Sequence, residues 1–171
     1  MYVGGVGWYN LNMNDNLIRN LGVVKVIADR IGERNIRWIL SGSTSLRLQG
    51  VDVDVNDIDI VTDEHGARGL DELLAAYRTK KSAYSSTENY RSIYGKYRIN
   101  DVDVDIMANF QYKLKSGEWS DINVWSEVGV FDYNGMRLPV LSLEQELKEY
   151  ESMGRADKAA RIKARINELF Q

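Results

Sequence analysis

Two aspartate pairs in strand-like context constrain this chain more than any other feature. Asp57 and Asp59 lie in Asn56-Asp57-Ile58-Asp59-Ile60-Val61, and Asp103 and Asp105 lie in Val102-Asp103-Val104-Asp105-Ile106-Met107. Alternate residues of a strand point to one face. Each pair therefore sets two carboxylates side by side and sends the intervening Ile or Val into a core. Aspartate is a poor strand former, and neighbouring like charges repel. A fold that takes this pattern twice predicts a cation beside the carboxylates. With no cysteine and a single histidine, His65, thiolate sites, disulfide frameworks and His-rich zinc sites are not expected. Oxygen-ligated Mg²⁺ or Mn²⁺ is the expected ion.

The length of 171 residues and a hydrophobic fraction of 44% predict one domain spanning residues 1–171. A net charge of −3 carries no global basic footprint for nucleic acid. Met1 to Trp8 is glycine-rich without a basic region and apolar run, so it does not read as a signal peptide. No apolar run approaches a membrane span, and a cytoplasmic location is expected.

Periodicity orders the elements. Asn14 to Arg30 predicts a helix with Leu17, Leu21, Val24, Ala28 and Ile31 on one stripe, capped by Asn14 or Asp15 and stopped by Gly32. Ile36 to Leu40 reads as a buried strand, Ser41-Gly42-Ser43-Thr44 as a turn, and Leu46 and Leu48 as part of a short helix. Asp57 to Val61 is the next strand and Gly66 to Tyr77 the next helix. Two hairpins follow: Ser92–Ile99 with Val102–Met107 around Asn100-Asp101, and Val128–Tyr133 with Met136–Leu141 around Asn134-Gly135. Pro139 predicts an edge strand. Ser142-Leu143-Glu144-Gln145 has the capping-box pattern, and Arg155 to Phe170 closes the chain as a helix with Ala159, Ile162, Ile166 and Leu169 inward. Hairpins interleaved with helices predict a mixed sheet.

The segment Ile39–Thr62 combines parts that belong together chemically. A glycine turn lets backbone approach a phosphate, a helix start offers free N–H groups, and Ser43 and Thr44 add hydroxyls. Two carboxylates on the adjacent strand can hold a metal that bridges to the same phosphates.

On these residues the chain resembles the nucleotidyltransferase superfamily that shares its fold with DNA polymerase β. The family pattern is an apolar strand, Gly-Gly or Gly-Ser, a short helix, then Asp-apolar-Asp, here Gly42-Ser43 and Asp57-Ile58-Asp59. A third carboxylate follows on a later strand. Val104-Asp105-Ile106 matches best, with Asp103 as the competing choice. Leu141 to Ile166, with Met153-Gly154-Arg155 and Asp157-Lys158, resembles the helical tail of small prokaryotic members.

The resemblance implies an α/β or α+β fold: a core over about residues 14–110 with helices packed on one side of the sheet, and an accessory hairpin and helical tail over about 120–171. It implies Mg²⁺-dependent transfer of a nucleoside monophosphate from an NTP to a hydroxyl-bearing small molecule, protein or RNA. Asp57, Asp59 and Asp105 would bind metal and carry the catalysis, and Gly42, Ser43, Thr44 and Arg47 would bind the nucleotide. Asn56 stands where serine is frequent, and no arginine immediately precedes the Asp pair. Lys96 and Arg98 are therefore further candidates for the triphosphate. A fold-retaining binding or regulatory component, of toxin–antitoxin or defence type, is the alternative. For the transfer reading the acceptor site would lie either on the hairpins or on a second subunit, in a homo-oligomer or a partner protein.

Other patterns have plainer readings. Asp52-Val53-Asp54-Val55-Asn56 with Asp63 starts like a calcium loop but lacks the glycine and glutamate that loop requires. His65 reads as a helix-start residue. Tyr84, Tyr90, Tyr94 and Tyr97, interleaved with Arg91, Lys96 and Arg98, read first as a half-buried hairpin and second as a stacking surface. Arg78, Lys80 and Lys81 read as a basic run at a helix end.

Overall fold

A computed structural model describes residues 15–122 and 124–170. The expected cap at Asn14 and the glycine-rich start Met1–Trp8 lie outside these residues. Seven strands form a mixed sheet: β1 (Trp38–Ser41), β2 (Ile58–Thr62), β3 (Arg78–Ser86), β4 (Tyr90–Ile99), β5 (Val102–Tyr112), β6 (Val128–Tyr133) and β7 (Met136–Leu141). Their order is β3-β4-β5-β2-β1-β7-β6. The β2–β5 and β1–β7 pairs are parallel and the others antiparallel.

One face of this sheet is sealed. Helix α1 (Asp15–Ile31) presents Leu17, Leu21, Val24 and Ile27, and helix α3 (Glu64–Leu73) presents Leu70. They bury Leu40, Ile58, Ile60, Val104 and Ile106 from the strands. Each such aliphatic side chain contributes about 1.5–3 kcal/mol on burial. Gly32, at φ 52°, ends α1 as its sequence position predicts. On the opposite face Ile39, Val61 and Leu141 gather with Val124, and the rest of that face carries the polar side chains described below.

The tail has its own core. Helix α4 (Leu143–Ser152) and helix α5 (Ala156–Leu169) pack Leu143, Tyr150, Ala159 and Ile162 against Leu46 of helix α2 (Gly42–Leu48) and against Val51 and Val53. The Gln49–Val55 segment alternates as a strand would, with its valines buried and Asp52 and Asp54 exposed, yet it joins no ladder. Instead α5 clasps it: Arg161 donates to the Asp52 carbonyl at 2.8 Å and Arg165 to the Gln49 carbonyl at 3.0 Å.

Both predicted hairpin turns form with positive φ at Asn100, Asp101, Asn134 and Gly135, the backbone that two-residue turns of this hand need. The strands of the first hairpin run longer than periodicity marks, from Tyr90 to Tyr112.

Four expectations are corrected. The basic run Arg78, Lys80 and Lys81 opens edge strand β3 and does not end a helix, because α3 stops at Leu73 and a single 3₁₀ turn, Ala75–Tyr77, leads into the strand. Pro139 is not on an edge: β7 lies between β6 and β1, and its register with β1 is the single pair Leu40–Val140, so one missing donor is tolerated. Ser142 caps α4 by accepting from the Gln145 N–H at 3.2 Å, but the Gln145 side chain does not return the bond; it donates to Glu149 at 3.1 Å. Leu169 is exposed, one turn beyond the tail's core.

Candidate active site

The site begins at the end of β1, where Gly42 turns the chain into α2 with φ 66°. A Cβ on Gly42 would lie 2.0 Å from Asp59 Oδ2, so only glycine lets this carboxylate sit against the turn. Strand register then lines up the chemistry. Ser41 is opposite Asp59 on β2, Asp59 is opposite Asp105 on β5, and Asp105 is opposite Lys96 on β4. Asp57 immediately precedes β2. One carboxylate oxygen from each of Asp57, Asp59 and Asp105 lies within 4.8 Å of the others.

Asp57 is held from behind. The Thr44 hydroxyl donates to its carbonyl at 2.7 Å, and the Asn20 side chain donates to the same carbonyl at 3.2 Å and to Thr44 at 2.9 Å. Asn20 and Thr44 are fully buried. Ser43 accepts from the Asn56 N–H at 3.5 Å, bracing the same loop.

The electrostatics are those of a partly buried acidic cluster. Burial pushes the Asp59 carboxyl up to about 7, and Asp57 and Asp105 push the same way, while Lys158 and Arg155 act in the opposite direction. Burial also raises Asp105, against the hydrogen bond from Tyr94 and the charge of Lys96. The Tyr94 hydroxyl donates to Asp105 Oδ2 at 2.8 Å, and Lys96 Nζ stands 3.6 Å from Oδ1. Asp105 Oδ1 is buried without a hydrogen bond among the described residues. An unsatisfied carboxylate oxygen within an all-oxygen donor set fits a hard divalent cation, and this is the metal-sized acidic cluster among the described residues.

The tail contributes groups that sequence reasoning missed. Glu146 of α4, fully buried, accepts from the Gly42 N–H at 2.9 Å across 104 residues. Burial holds its carboxyl well above the usual range, and burial raises Glu149 to about 7. At the start of α5, the Arg155 guanidinium and Lys158 ammonium lie 5.7 and 5.4 Å from the centre of the Tyr150 ring. A cation in a helical tail has no local signature as a site residue. Asn20 did have one, as a polar residue on the apolar stripe of α1.

Not every candidate is brought to the cluster. Asp103 is exposed and takes a 2.8 Å bond from Arg98, which also reaches Asp101 at 3.6 Å; the register with β2 brings Asp105, not Asp103, beside Asp59. Arg47, in the last turn of α2, pairs with Asp52 at 2.6 Å. Asp63 caps α3 through the Gly66 N–H, and His65 contacts the Asn35 carbonyl at 3.1 Å. Neither takes part in a calcium loop or in the carboxylate cluster.

Comparison with known proteins agrees with this geometry. The family model described as aminoglycoside-2''-adenylyltransferase matches residues 23–166. A Thermotoga maritima protein, provisionally described as a nucleotidyltransferase, is 37% identical with a TM-score of 0.75, covering 88% of this chain and 94% of that one. The lincosamide antibiotic adenylyltransferase LnuA, bound to lincomycin, shares the fold at 14% identity and TM-score 0.53, covering 85% of this chain and 95% of its own. ANT(2'')-Ia, in complex with adenylyl-2''-tobramycin, does so at 11% identity and TM-score 0.54, covering 88% and 92%. A comparison with curated proteins found no match. The chain therefore belongs to the aminoglycoside-2''-adenylyltransferase family, within the nucleotidyltransferase superfamily.

Proposed function

We propose that this protein transfers a nucleoside monophosphate from an NTP to a hydroxyl-bearing acceptor and releases pyrophosphate. The observation that carries the reading is the convergence of Asp57, Asp59 and Asp105 beside Gly42, with Asp105 Oδ1 left without a hydrogen bond. These three side chains would hold Mg²⁺ or Mn²⁺. When bound, such an ion neutralises phosphate charge and makes the acceptor hydroxyl more acidic.

The chain's own residues divide the remaining work. Gly42 and Ser43 shape the turn against which the triphosphate lies, and Thr44 and Asn20 keep Asp57 in place. Arg155 and Lys158, whose charges act on Asp59, supply the positive charge for the phosphates that the Asp57–Asp59 segment lacks. Arg47, through Asp52, braces the loop behind α2. Tyr94 fixes Asp105 through Oδ2, and the acceptor's proton passes to the Asp105 carboxylate as the hydroxyl attacks. The acceptor oxygen bonds to the α-phosphorus as the bond to the β-phosphate oxygen breaks, with entering and leaving groups in line.

Thermal unfolding with each NTP, with and without Mg²⁺, tests the reading without knowledge of the acceptor, because a ligand specific to the native state raises the midpoint. The expected shift requires nucleotide and metal together and disappears in Asp57→Asn. Arg155→Ala and Lys158→Ala should each weaken NTP binding by about tenfold or more. No shift with any NTP, or an undiminished shift in Asp57→Asn, would overturn the assignment.

A further inference from the structure

The proposed reaction has two flanks, and the structure makes them chemically different. On one side of the carboxylates stand Gly42, Arg155 and Lys158, the turn and the cations given to the triphosphate. In-line displacement puts the entering hydroxyl opposite the leaving pyrophosphate. The acceptor must then approach over the other side, where β5 is followed by β4 and β3.

That flank carries positive charge. Lys96 lies opposite Asp105 in register, and Lys80 lies opposite Lys96, so both stand on the face that carries the carboxylates. Tyr94 lies opposite Met107, on the same face, and Lys80 Nζ sits 4.9 Å from the centre of its ring. The register between β3 and β4 shifts on both sides of Lys80, and such irregularities re-aim side chains locally. Both lysines are solvent-accessible. The acids of the β4–β5 hairpin beside these lysines have partners. Asp103 and Asp101 face Arg98, and Asp105 lies 3.6 Å from Lys96 and within the carboxylate cluster.

We infer that the acceptor is a small anionic alcohol, such as a sugar or polyol carrying a phosphate, whose negative group is held by Lys96 and Lys80 over the ring of Tyr94. A polycationic acceptor would meet the ammonium groups of Lys96 and Lys80 there. The inference rests on the nucleotidyl-transfer reading and names the acceptor class for that same site.

The experiment saturates the protein with Mg²⁺ and the non-hydrolysable analogue α,β-methylene-ATP, then titrates glycerol 3-phosphate, kanamycin and a short single-stranded oligoribonucleotide in parallel by calorimetry. Saturable binding of glycerol 3-phosphate is expected, weakened about tenfold by Lys96→Met and by Lys80→Met, with no saturable binding of kanamycin. If the ATP analogue does not bind, the nucleotide reading fails and the acceptor assignment falls with it. If the analogue binds but glycerol 3-phosphate does not, or binds undiminished in both lysine variants, the acceptor assignment alone is overturned. Saturable kanamycin binding, or tighter binding of the oligoribonucleotide than of glycerol 3-phosphate, would also overturn it.

Discussion

Asp105 and Asp103 sit two residues apart on one strand and one face, and they have opposite fates. Asp103 is exposed, with Arg98 at 2.8 Å. Asp105 is half-buried beside Asp59, with its Oδ1 3.6 Å from Lys96 and without a hydrogen bond among the described residues. The difference is one step of β-sheet register. Opposite Asp103 on β4 is Arg98, a long side chain that neutralises it in solvent. Flanking Asp105 are Asp59 on β2 and Lys96 on β4, so acid gathers there faster than protein cations can answer it. An acidic residue on a strand is set up to hold a cation when the neighbouring strand adds charge of the same sign and burial removes water.

The strongest way to break this contrast is to evict the buried carboxylate. Gly42→Ala puts a methyl group where Asp59 Oδ2 stands and strains a residue at φ 66°. We expect a loss of about 2–4 kcal/mol in urea denaturation, together with loss of NTP binding. Asp59→Asn keeps the shape and removes the charge. The Mg²⁺-dependent stabilisation by ATP, about 2.7 kcal/mol at a hundredfold excess over Kd, should vanish while the metal-free unfolding midpoint is retained or raised.

A third prediction extends the contrast to the tail. Glu149 is buried and its carboxyl is raised from 4.5 to about 7. The folded state therefore binds this proton more tightly than the unfolded state. That contribution is fully present below about pH 4.5 and is lost as pH rises through about 7. It should be on the order of 1–3 kcal/mol, and Glu149→Gln should flatten the stability profile across that window. The smallest effect belongs to the exposed partner. Asp103→Asn should change stability by less than about 0.5 kcal/mol and leave NTP binding unchanged; a large loss of binding there would overturn the choice of Asp105.

Much of the fold was legible because its signals are local. The stripe of α1, the turns at Asn100-Asp101 and Asn134-Gly135, and the alternation around Ile58 and Val104 each fit within one element. Strand β3 was not legible, since Arg78–Ser86 is polar on both faces and its burial pattern is almost wholly exposed. Asp57, Asp59 and Gly42 were legible by spacing along the chain. Glu146 was not, and Arg155 and Lys158 were legible only as part of a helical tail, because nothing local in that tail shows that it folds back onto Gly42 and Asp59.

By itself, then, the sequence determined the inventory: two Asp-x-Asp pairs with apolar residues between them, a Gly-Ser turn ahead of a short helix, two tight hairpins and a helical tail. Side-chain alternation and the left-handed backbone of turn residues act over a few residues, so they can be read without a fold. Only the tertiary structure decided which aspartate joins the pair, which cations face it, and why Gly42 has no side chain. Those outcomes depend on the parallel β2–β5 register and on a tail that returns 104 residues later to bond Gly42. Burial and Coulomb interactions act through space, and spacing along the chain does not encode them.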